Sequence, residues 1–215
     1  MYKEIRVAQL SGYVSEQAAY HHGEASLQGA IVGMAQDFVG SNNINLLQPN
    51  GQFGTRIMGG SDSASARYIH TQLNPIVDLI YPQTDFPLLD YINDDGLLVE
   101  PKWYCPILPM VLVNGMVGIG TGFSTKIPSH NPLDIITNIK HLMKDEPLDI
   151  IKPWFRGFKG DVVDIGEEEV KYSTQGLYKR KDDKTIIITE LPIGSWTDDY
   201  KAYLEDLIYD KSAEE

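Results

Sequence analysis

A pair of candidate helices joined by a glycine-containing turn is the feature that most constrains the fold of this chain. Residues 15–20 are typical of the end of one helix, and Gly23 marks the start of the next. Apolar residues then recur at spacings of three and four, which predicts a helix with one apolar face that ends at Gly40. Those apolar positions are Leu27, Ile31, Met34 and Phe38. Such a pair favours a helix-turn-helix, although an ordinary helical hairpin in a core shows the same spacing.

A loop rich in glycine, asparagine and glutamine follows the helix pair. The turn Pro49-Asn50-Gly51 lies between short apolar pieces, which predicts a β-hairpin, or wing. Gly54 and the pair Gly59-Gly60 favour loops whose backbone approaches a ligand closely. The helix pair and the wing together predict a winged-helix arrangement, and Tyr68 follows it on a short strand or turn.

The second half of the chain mixes glycine-rich loops with two clear helices and one clear strand. The run Gly118 to Gly122 predicts a flexible segment with one exposed apolar residue. Residues 132–143 are typical of a helix, with Asn131 as its N-cap and a proline in its first turn. Residues 185–189 predict a strand and residues 196–207 a further helix.

Composition excludes several classes of protein. At 215 residues the chain can form one large domain or two small ones, and it has no apolar run near the roughly 20 residues that a membrane helix needs. Its start lacks the apolar core of a signal peptide, and the single Cys105 excludes an internal disulfide and a cysteine-based metal cluster. Both ends resemble the middle of an element, so we expect an excised fragment of a larger protein.

The net charge of -12 argues at first against a nucleic-acid-binding protein. The charge is unevenly distributed, because residues 1–75 have a net charge of -1 and the rest of the chain has -11. A near-neutral surface with a few placed arginines can bind DNA, but it lacks the broad basic patch that dominates affinity. We therefore expect other domains to supply much of the positive charge.

The adjacent residues Arg67 and Tyr68 are the candidate catalytic pair. A phenol has an ordinary pKa of about 10 and is a poor nucleophile, but a neighbouring cation favours the phenolate and can hold an anionic substrate. This chemistry is that of a nucleophile that forms a phosphotyrosyl ester. Taken alone, the pair also fits a half-buried strand tyrosine beside a surface arginine.

Further candidates are polar or apolar residues of turns and loops. His21 or His22 could hydrogen-bond a phosphate oxygen, although a polar turn histidine is the ordinary alternative. The guanidinium of Arg56 suits phosphate oxygens, or it is a plain loop cation. Ile119 could insert between base steps as proteins that bend DNA do, or pack inward from a tight turn.

Long collinear stretches over nearly the whole chain carry a family resemblance. They are Val7 to Leu10 (VAQL), Tyr20 to Glu24 (YHHGE), Ser26-Leu27, Phe38 to Asn43 (FVGSNN), Gln52 to Arg56 (QFGTR), Ala66 to Thr71 (ARYIHT), Pro109 to Gly122 (PMVLVNGMVGIGTG), Pro153 to Gly160 (PWFRGFKG) and Thr189 to Ile193 (TELPI). Together they resemble the DNA breakage-reunion region of eukaryotic-type, type IIA, DNA topoisomerase II.

The resemblance implies a role for individual residues. Tyr68 matches the tyrosine that becomes linked to the 5′ phosphate of cleaved DNA, and Arg67 matches its neighbour that holds the scissile phosphate. His22 matches the histidine that stabilises the transition state. Contacts to DNA are implied for Arg56, His21 and Gln52, and for Ile119 as the wedge that bends the duplex.

The resemblance also implies architecture and partners. It places a winged-helix cleavage domain at residues 1–105 and part of an α/β tower (shoulder) domain with an antiparallel sheet at residues 106–215, an α+β fold. It implies that Mg²⁺ and ATP bind the full-length enzyme outside this chain, which alone should be inactive. The expected partners are double-stranded DNA and a second copy of the enzyme, without a membrane, in the nucleus or at a cytoplasmic viral replication site.

Two other classes of function stay open at this level. One is a winged-helix protein that binds and bends DNA without cutting it, and the other is a structural dimerisation module. Ser61 departs from the resemblance, because relatives often carry lysine there, and the loss of a cation should weaken phosphate binding and its salt dependence. Such departures hint at a viral or protist source.

Overall fold

The computed structural model describes residues 3–166 and 170–209. The helices are α1 Val7–Gln17, α2 Glu24–Ala35, α3 Val77–Ile80, α4 Met110–Val113, α5 Pro132–Leu142 and α6 Thr197–Tyr209, with a 3-10 helix at Gln83–Leu88. The strands are β1 Ile5–Arg6, β2 His70–Thr71, β3 Tyr91–Asp94, β4 Leu97–Pro101, β5 Met116–Gly120, β6 Phe123–Ile127, β7 Asp161–Asp164, β8 Tyr172–Gln175, β9 Leu177–Arg180 and β10 Ile186–Glu190. In this part of the chain the strands pair as two-stranded antiparallel sheets: β1 with β2, β3 with β4, β5 with β6, β7 with β8, and β9 with β10. Helices and antiparallel strands thus occur together, and the predicted α+β class is confirmed.

The predicted pair of helices is present as α1 and α2, with Gly23 as the residue before α2. Leu27 and Ile31 are buried as expected. The predicted end of the second helix is wrong, because the backbone leaves helical geometry at Gln36, which has a ψ of 133°. The last buried residue of α2 is therefore Ala35, four residues after Ile31, while Met34 is exposed.

The predicted hairpin at Pro49-Asn50-Gly51 does not form within that segment. Asn50 instead exchanges backbone hydrogen bonds with His70, with N–O distances of 3.0 and 3.1 Å, and Leu47 pairs with Leu73. The wing is thus made from two segments separated by nineteen residues, numbers 51–69. The local pattern identified the extended segment around Asn50 correctly, but the segment that pairs with it lies beyond Tyr68 in the chain.

The first region is the part of the chain up to residue 105, the predicted division. Its core lies between α1, α2 and these paired segments. It consists of Val7, Leu10, Leu27, Ile31, Ala35, Leu47, Phe53 and Ile69. Burial of that many aliphatic and aromatic side chains is the main force that fixes the region, at roughly 25 cal/mol for each Å² of apolar surface removed from water. Ile69 belongs to this core, so the residue directly after Tyr68 is fixed by packing.

The second region has a smaller core and several exposed hairpins. Leu108, Val113 and Ile135 are buried together. Helix α5 begins as predicted, since the Asn131 side chain accepts a 3.0 Å hydrogen bond from the Leu133 N–H. The predicted strand and the last predicted helix are confirmed as β10 and α6.

The segment Gly118 to Gly122, predicted to be flexible, belongs to a β-hairpin and carries the exposed Ile119 that was expected. Gly118 and Gly120 lie inside β5, paired with Thr125 and Phe123 of β6. Glycine is disfavoured in strands, but five consecutive pairs across the hairpin, from Met116 to Gly120, outweigh that weakness. The segment is therefore a defined β-hairpin.

The two regions pack against each other. The Ile107 N–H donates to the Ile80 carbonyl at 2.8 Å, and the rings of Phe38 and Trp196 meet edge to face at 6.0 Å. Gly40 has a φ of +93°, which favours glycine, and a Cβ atom there would be in ordinary contact with the Trp196 ring at 3.4 Å. The division after residue 105 stays a prediction. Within the residues described, no helix has the length and apolarity needed to cross a bilayer.

Candidate functional site

The turn that carries Arg67 and Tyr68 is held by the first residues of α1. The Val7 N–H donates to the Ile69 carbonyl and the Ala8 N–H to the Ala66 carbonyl, both at 3.0 Å. The first N–H groups of a helix have no partner inside the helix, so here they are satisfied by carbonyls on either side of the tyrosine. Both ends of the turn are therefore fixed to a rigid element.

Packing beneath the turn fixes it further. Ile69 is only 2% exposed, whereas Tyr68 is 69% exposed. Gly51 lies against Ile69 with a φ of +126°, and a Cβ atom there would come within 2.9 Å of the Ile69 Cγ2 atom. Gln52 follows Gly51 in the chain, and its side chain is exposed.

Arg67 lies over the face of the Tyr68 ring. Its guanidinium carbon is 5.3 Å from the ring centroid, a cation–π contact. Both side chains are exposed, so the hydroxyl and the guanidinium can meet an anion from solvent together. Of the predicted site residues, these two are the pair for which the structure shows a direct side-chain contact.

The two histidines lie in the turn between α1 and α2. His21 and His22 are exposed, and the His22 ring meets the Tyr20 ring edge to face at 5.3 Å. Tyr20 is partly buried against the core of the first region, so its ring supports the His22 ring on the side that faces the core. The turn precedes the N-terminus of α2, where the helix dipole favours a negative charge. Contact of either histidine with DNA stays a prediction.

Arg56 has an intramolecular partner that its sequence context did not indicate. Its guanidinium forms an ion pair with the Glu190 carboxylate and donates to the Leu191 carbonyl at 2.7 Å. Glu190 is 6% exposed and also accepts a hydrogen bond from the Lys159 N–H at 3.1 Å. Arg56 thus joins the loop after Phe53 to the second region, and DNA binding by Arg56 stays a prediction.

The loop between Gly54 and Asp62 is closed by Thr55. The Asp62 carboxylate accepts from the Thr55 N–H at 2.8 Å and from the Thr55 hydroxyl at 2.7 Å. These hydrogen bonds, the hydroxyl first, hold the pKa of Asp62 below its ordinary value because they stabilise the charged form. Ser61 lies exposed on this loop, six residues before Arg67.

Ile119 lies near the tip of the β5–β6 hairpin and is 91% exposed. Val117 and Phe123 of the same hairpin are also largely exposed. The inward-packing alternative for Ile119 is therefore excluded. An exposed isoleucine on a hairpin has the shape of a wedge, and the hairpin is an element separate from the tyrosine turn.

Side chains that could hold a metal ion are scattered over the described residues. In residues 3–166 and 170–209, the histidines, cysteine, aspartates and glutamates form no group of three or more that could hold a metal ion. These residues therefore offer no ready cluster of side-chain ligands for Mg²⁺.

Three residues that organise the site have no signal in their local sequence. Asn43 is 4% exposed and hydrogen-bonded to the second region, although an Asn-Asn pair is typical of a loop. Glu190 lies one residue beyond the predicted strand, inside the motif Thr189 to Ile193, and Trp196 begins the last predicted helix. Each acts through partners more than a hundred residues away, which local patterns do not encode.

Comparison with known proteins identifies the family of this chain. The family model for the A-type chain of DNA gyrase/topoisomerase IV matches residues 1–215. The chain therefore belongs to this family.

Individual relatives are eukaryotic type II topoisomerases. The chain is 57% identical to "DNA topoisomerase 2" of Arabidopsis thaliana over 213 residues and 56% identical to that of Saccharomyces cerevisiae over 201 residues, which is 98% and 94% of the chain. It covers 14% of each of these two relatives. These relatives are cellular proteins, and the suggested viral source is not borne out.

A solved structure shows the same architecture. The Plasmodium falciparum topoisomerase II DNA-binding, cleavage and re-ligation domain superposes with a TM-score of 0.94 at 50% identity. The match covers 98% of this chain and 28% of that one. The resemblance inferred from the motifs is thereby confirmed.

Proposed function

We propose that this chain is the DNA-cleaving part of a type II topoisomerase and that Tyr68 is its nucleophile. The observation that carries the proposal is the exposed Tyr68 on a turn fixed at both ends by α1, with the Arg67 guanidinium 5.3 Å from its ring. A nucleophile must be fixed relative to its target, and this turn has the required support.

The proposed step is an in-line transesterification. The Tyr68 oxygen loses its proton and bonds to phosphorus, while the bond from phosphorus to the 3′ oxygen breaks and that oxygen takes up a proton. Arg67 holds non-bridging oxygens, which carry more charge in the transition state. His22 donates a hydrogen bond to a phosphate oxygen. The phosphotyrosyl ester retains the bond, so resealing is the reverse step.

The wider activity belongs to the full-length enzyme. We propose that it passes one duplex through a transient double-strand break with ATP hydrolysis, as a homodimer, in the nucleus. The names of the relatives and their origin in eukaryotes support this proposal. Mg²⁺ and ATP bind outside this chain in the proposal, and His21, Gln52 and Arg56 contact DNA.

The test is the substitution Tyr68→Phe in the full-length enzyme, which removes the attacking oxygen and keeps the ring. Incubation with supercoiled plasmid and magnesium, followed by denaturation, should give no covalent protein–DNA adduct. Tyr13→Phe is the matched control, because Tyr13 is also largely exposed but lies on the surface of α1. Undiminished adducts in Tyr68→Phe would remove Tyr68 from the mechanism.

A non-cleaving protein that binds and bends DNA is the second candidate. The exposed hairpin with Ile119 favours it, because such a wedge would bend DNA with or without cleavage. The adduct assay separates the two, since a bending protein yields no adduct even with Tyr68 intact.

A further inference from the structure

The β5–β6 hairpin is held at its base. Met116, Val117, Ile119 and Phe123 are all exposed, so packing along the hairpin does little to set its direction. At the base, Gly115 has a φ of +73°, and a Cβ atom there would lie 2.6 Å from the Ile127 carbonyl oxygen. The direction in which Ile119 points is therefore decided by what holds the two legs near that glycine.

The buried side chain of Asn43 holds both legs at once. Its Nδ2 atom donates to the carbonyls of Val113 at 2.9 Å, His130 at 3.1 Å and Trp154 at 3.0 Å. Val113 comes just before β5, and His130 comes just after β6. The Asn43 Oδ1 atom accepts from the Arg156 N–H at 2.8 Å, so both ends of the amide are used.

Asn114 makes the reciprocal connection from the hairpin side. Its Oδ1 atom accepts from the Ile44 N–H at 2.9 Å, and its Nδ2 atom donates to the Ile44 carbonyl at 2.8 Å. The side-chain amide thus pairs with a backbone unit of the first region as a strand would. Beneath it, Val113 is fully buried in the small core against which Ile44 packs.

The segment that carries Asn43 continues to the tyrosine turn. The Asn74 side chain donates to the Asn45 carbonyl at 3.0 Å, and Leu47 pairs with Leu73. Asn50 pairs with His70, two residues after Tyr68. A short hydrogen-bonded path therefore leads from the base of the hairpin to the nucleophile.

We propose that Asn43, together with Asn114, is a positioning residue that fixes the Ile119 hairpin relative to Tyr68 and so couples DNA bending to cleavage. The inference rests on the proposed function, because it assumes that Ile119 acts as the wedge. Without the two amides the hairpin turns about its base, and insertion of Ile119 no longer places the phosphate at Tyr68.

The experiment compares three asparagine substitutions in the full-length enzyme. Asn43→Asp keeps the size of the side chain and its acceptor but sets a carboxylate oxygen against three carbonyls. Asn114→Ala is the milder variant and decides the question where Asn43→Asp fails to fold. Asn42→Ala is the control, since the Asn42 side chain donates only to Gly33 and Gln36 carbonyls at the end of α2, at 2.7 and 2.8 Å.

The readout is the bend of a duplex labelled at both ends, measured by fluorescence transfer at saturating protein. Asn43→Asp and Asn114→Ala should lower the ratio of bent to straight DNA by at least about fivefold, the factor for the loss of a single net hydrogen bond, because each removes more than one. Asn42→Ala should bend DNA as the parent does. In an Ile119→Ala background, Asn43→Asp should cause no further loss, because no wedge remains to be positioned.

A rescue separates positioning from general damage. A duplex with a short gap at the wedged step bends at little cost, so Asn43→Asp should regain adduct formation on it. Should Ile119→Ala bend DNA normally, the wedge itself and the inference built on it both fail. Should Ile119→Ala lose bending while Asn43→Asp and Asn114→Ala keep it, the inference alone fails and the proposed function stands.

Discussion

The tyrosine turn and the Ile119 hairpin both expose a functional side chain, but they are supported in opposite ways. Tyr68 is followed by the buried Ile69 and is held by two backbone hydrogen bonds from α1. Ile119 is 91% exposed on a hairpin whose neighbouring side chains also face solvent. The proposed nucleophile is held at both ends of its turn, whereas the proposed wedge is held only at the base of its hairpin.

This difference matches what the proposed role of each side chain requires. Attack on phosphorus requires a placement accurate to a fraction of an ångström, so the turn is built into a core. Insertion between bases requires an apolar side chain free of its own protein, so the hairpin leaves that core. Substitutions that remove or add the same atoms in the tyrosine turn and in the hairpin should therefore have different effects on stability and on adduct formation.

The largest contrast is expected between two isoleucines. Ile69→Ala should lower the free energy of unfolding by about 2–5 kcal/mol, because it leaves a cavity in the core. Ile119→Ala removes the same atoms from an exposed site and should change stability by less than about 0.5 kcal/mol. Urea denaturation of the chain checks both values. A comparable loss for Ile119→Ala would show that the hairpin packs more tightly than its exposure indicates.

Two glycines give the next contrast. Gly51→Ala places a Cβ atom at a positive φ and 2.9 Å from Ile69, and it should cost about 1–3 kcal/mol and reduce adduct formation. Gly118→Ala enters open space and should be neutral or slightly stabilising, by about 0.5 kcal/mol. Thermal unfolding and the adduct assay test the pair together. Normal adducts from a folded Gly51→Ala enzyme would contradict the anchoring role of this contact.

Ser61 offers a smaller test of where DNA meets the anchored region. Ser61→Lys adds a cation at an exposed loop position six residues before Arg67, and one new phosphate contact should steepen the dependence of log affinity on log salt by about 0.9. Thr137→Lys on α5 adds the same charge at an exposed position and should leave the slope unchanged. Equal slopes in both variants would place the DNA away from this loop.

The smallest effect concerns acid. The pKa of Asp62 lies below its ordinary value, so its hydrogen bonds to Thr55 stabilise the folded loop above the unfolded-state pKa and are lost as the pH falls through the folded pKa. The Thr55 amide proton, followed by NMR, should report that titration. Amides of the β5–β6 hairpin should not, because residues 116–127 contain no carboxylate side chain.

Elements with local causes were predictable from the sequence. Helix α5 follows from its Asn131 cap and the proline in its first turn, and β10 follows from a run of β-branched residues. The identity of Tyr68 and Arg67 followed from the motif around them, and their exposure agrees with that role. The roles themselves stay predictions until the substitutions are made.

Features with distant causes were not predictable. The true partner of the Asn50 segment lies beyond Tyr68, and a local turn signal indicated a hairpin instead. The sequence around Arg56 indicated a loop cation that could bind phosphate. In the structure Arg56 forms an ion pair with the buried Glu190, which is far away in the sequence. Glycines at Gly118 and Gly120 indicated flexibility, but pairing with β6 decides their conformation.

Warming acts unequally on the two kinds of contact that connect the regions. The penalty for burying a charged group falls as temperature rises, because its hydration becomes less favourable, whereas stabilisation by apolar packing levels off. The ion pair between Arg56 and the buried Glu190 therefore gains weight on heating relative to the Phe38–Trp196 contact. At higher temperature, the ion pair therefore contributes a larger share of the free energy that holds the two regions together.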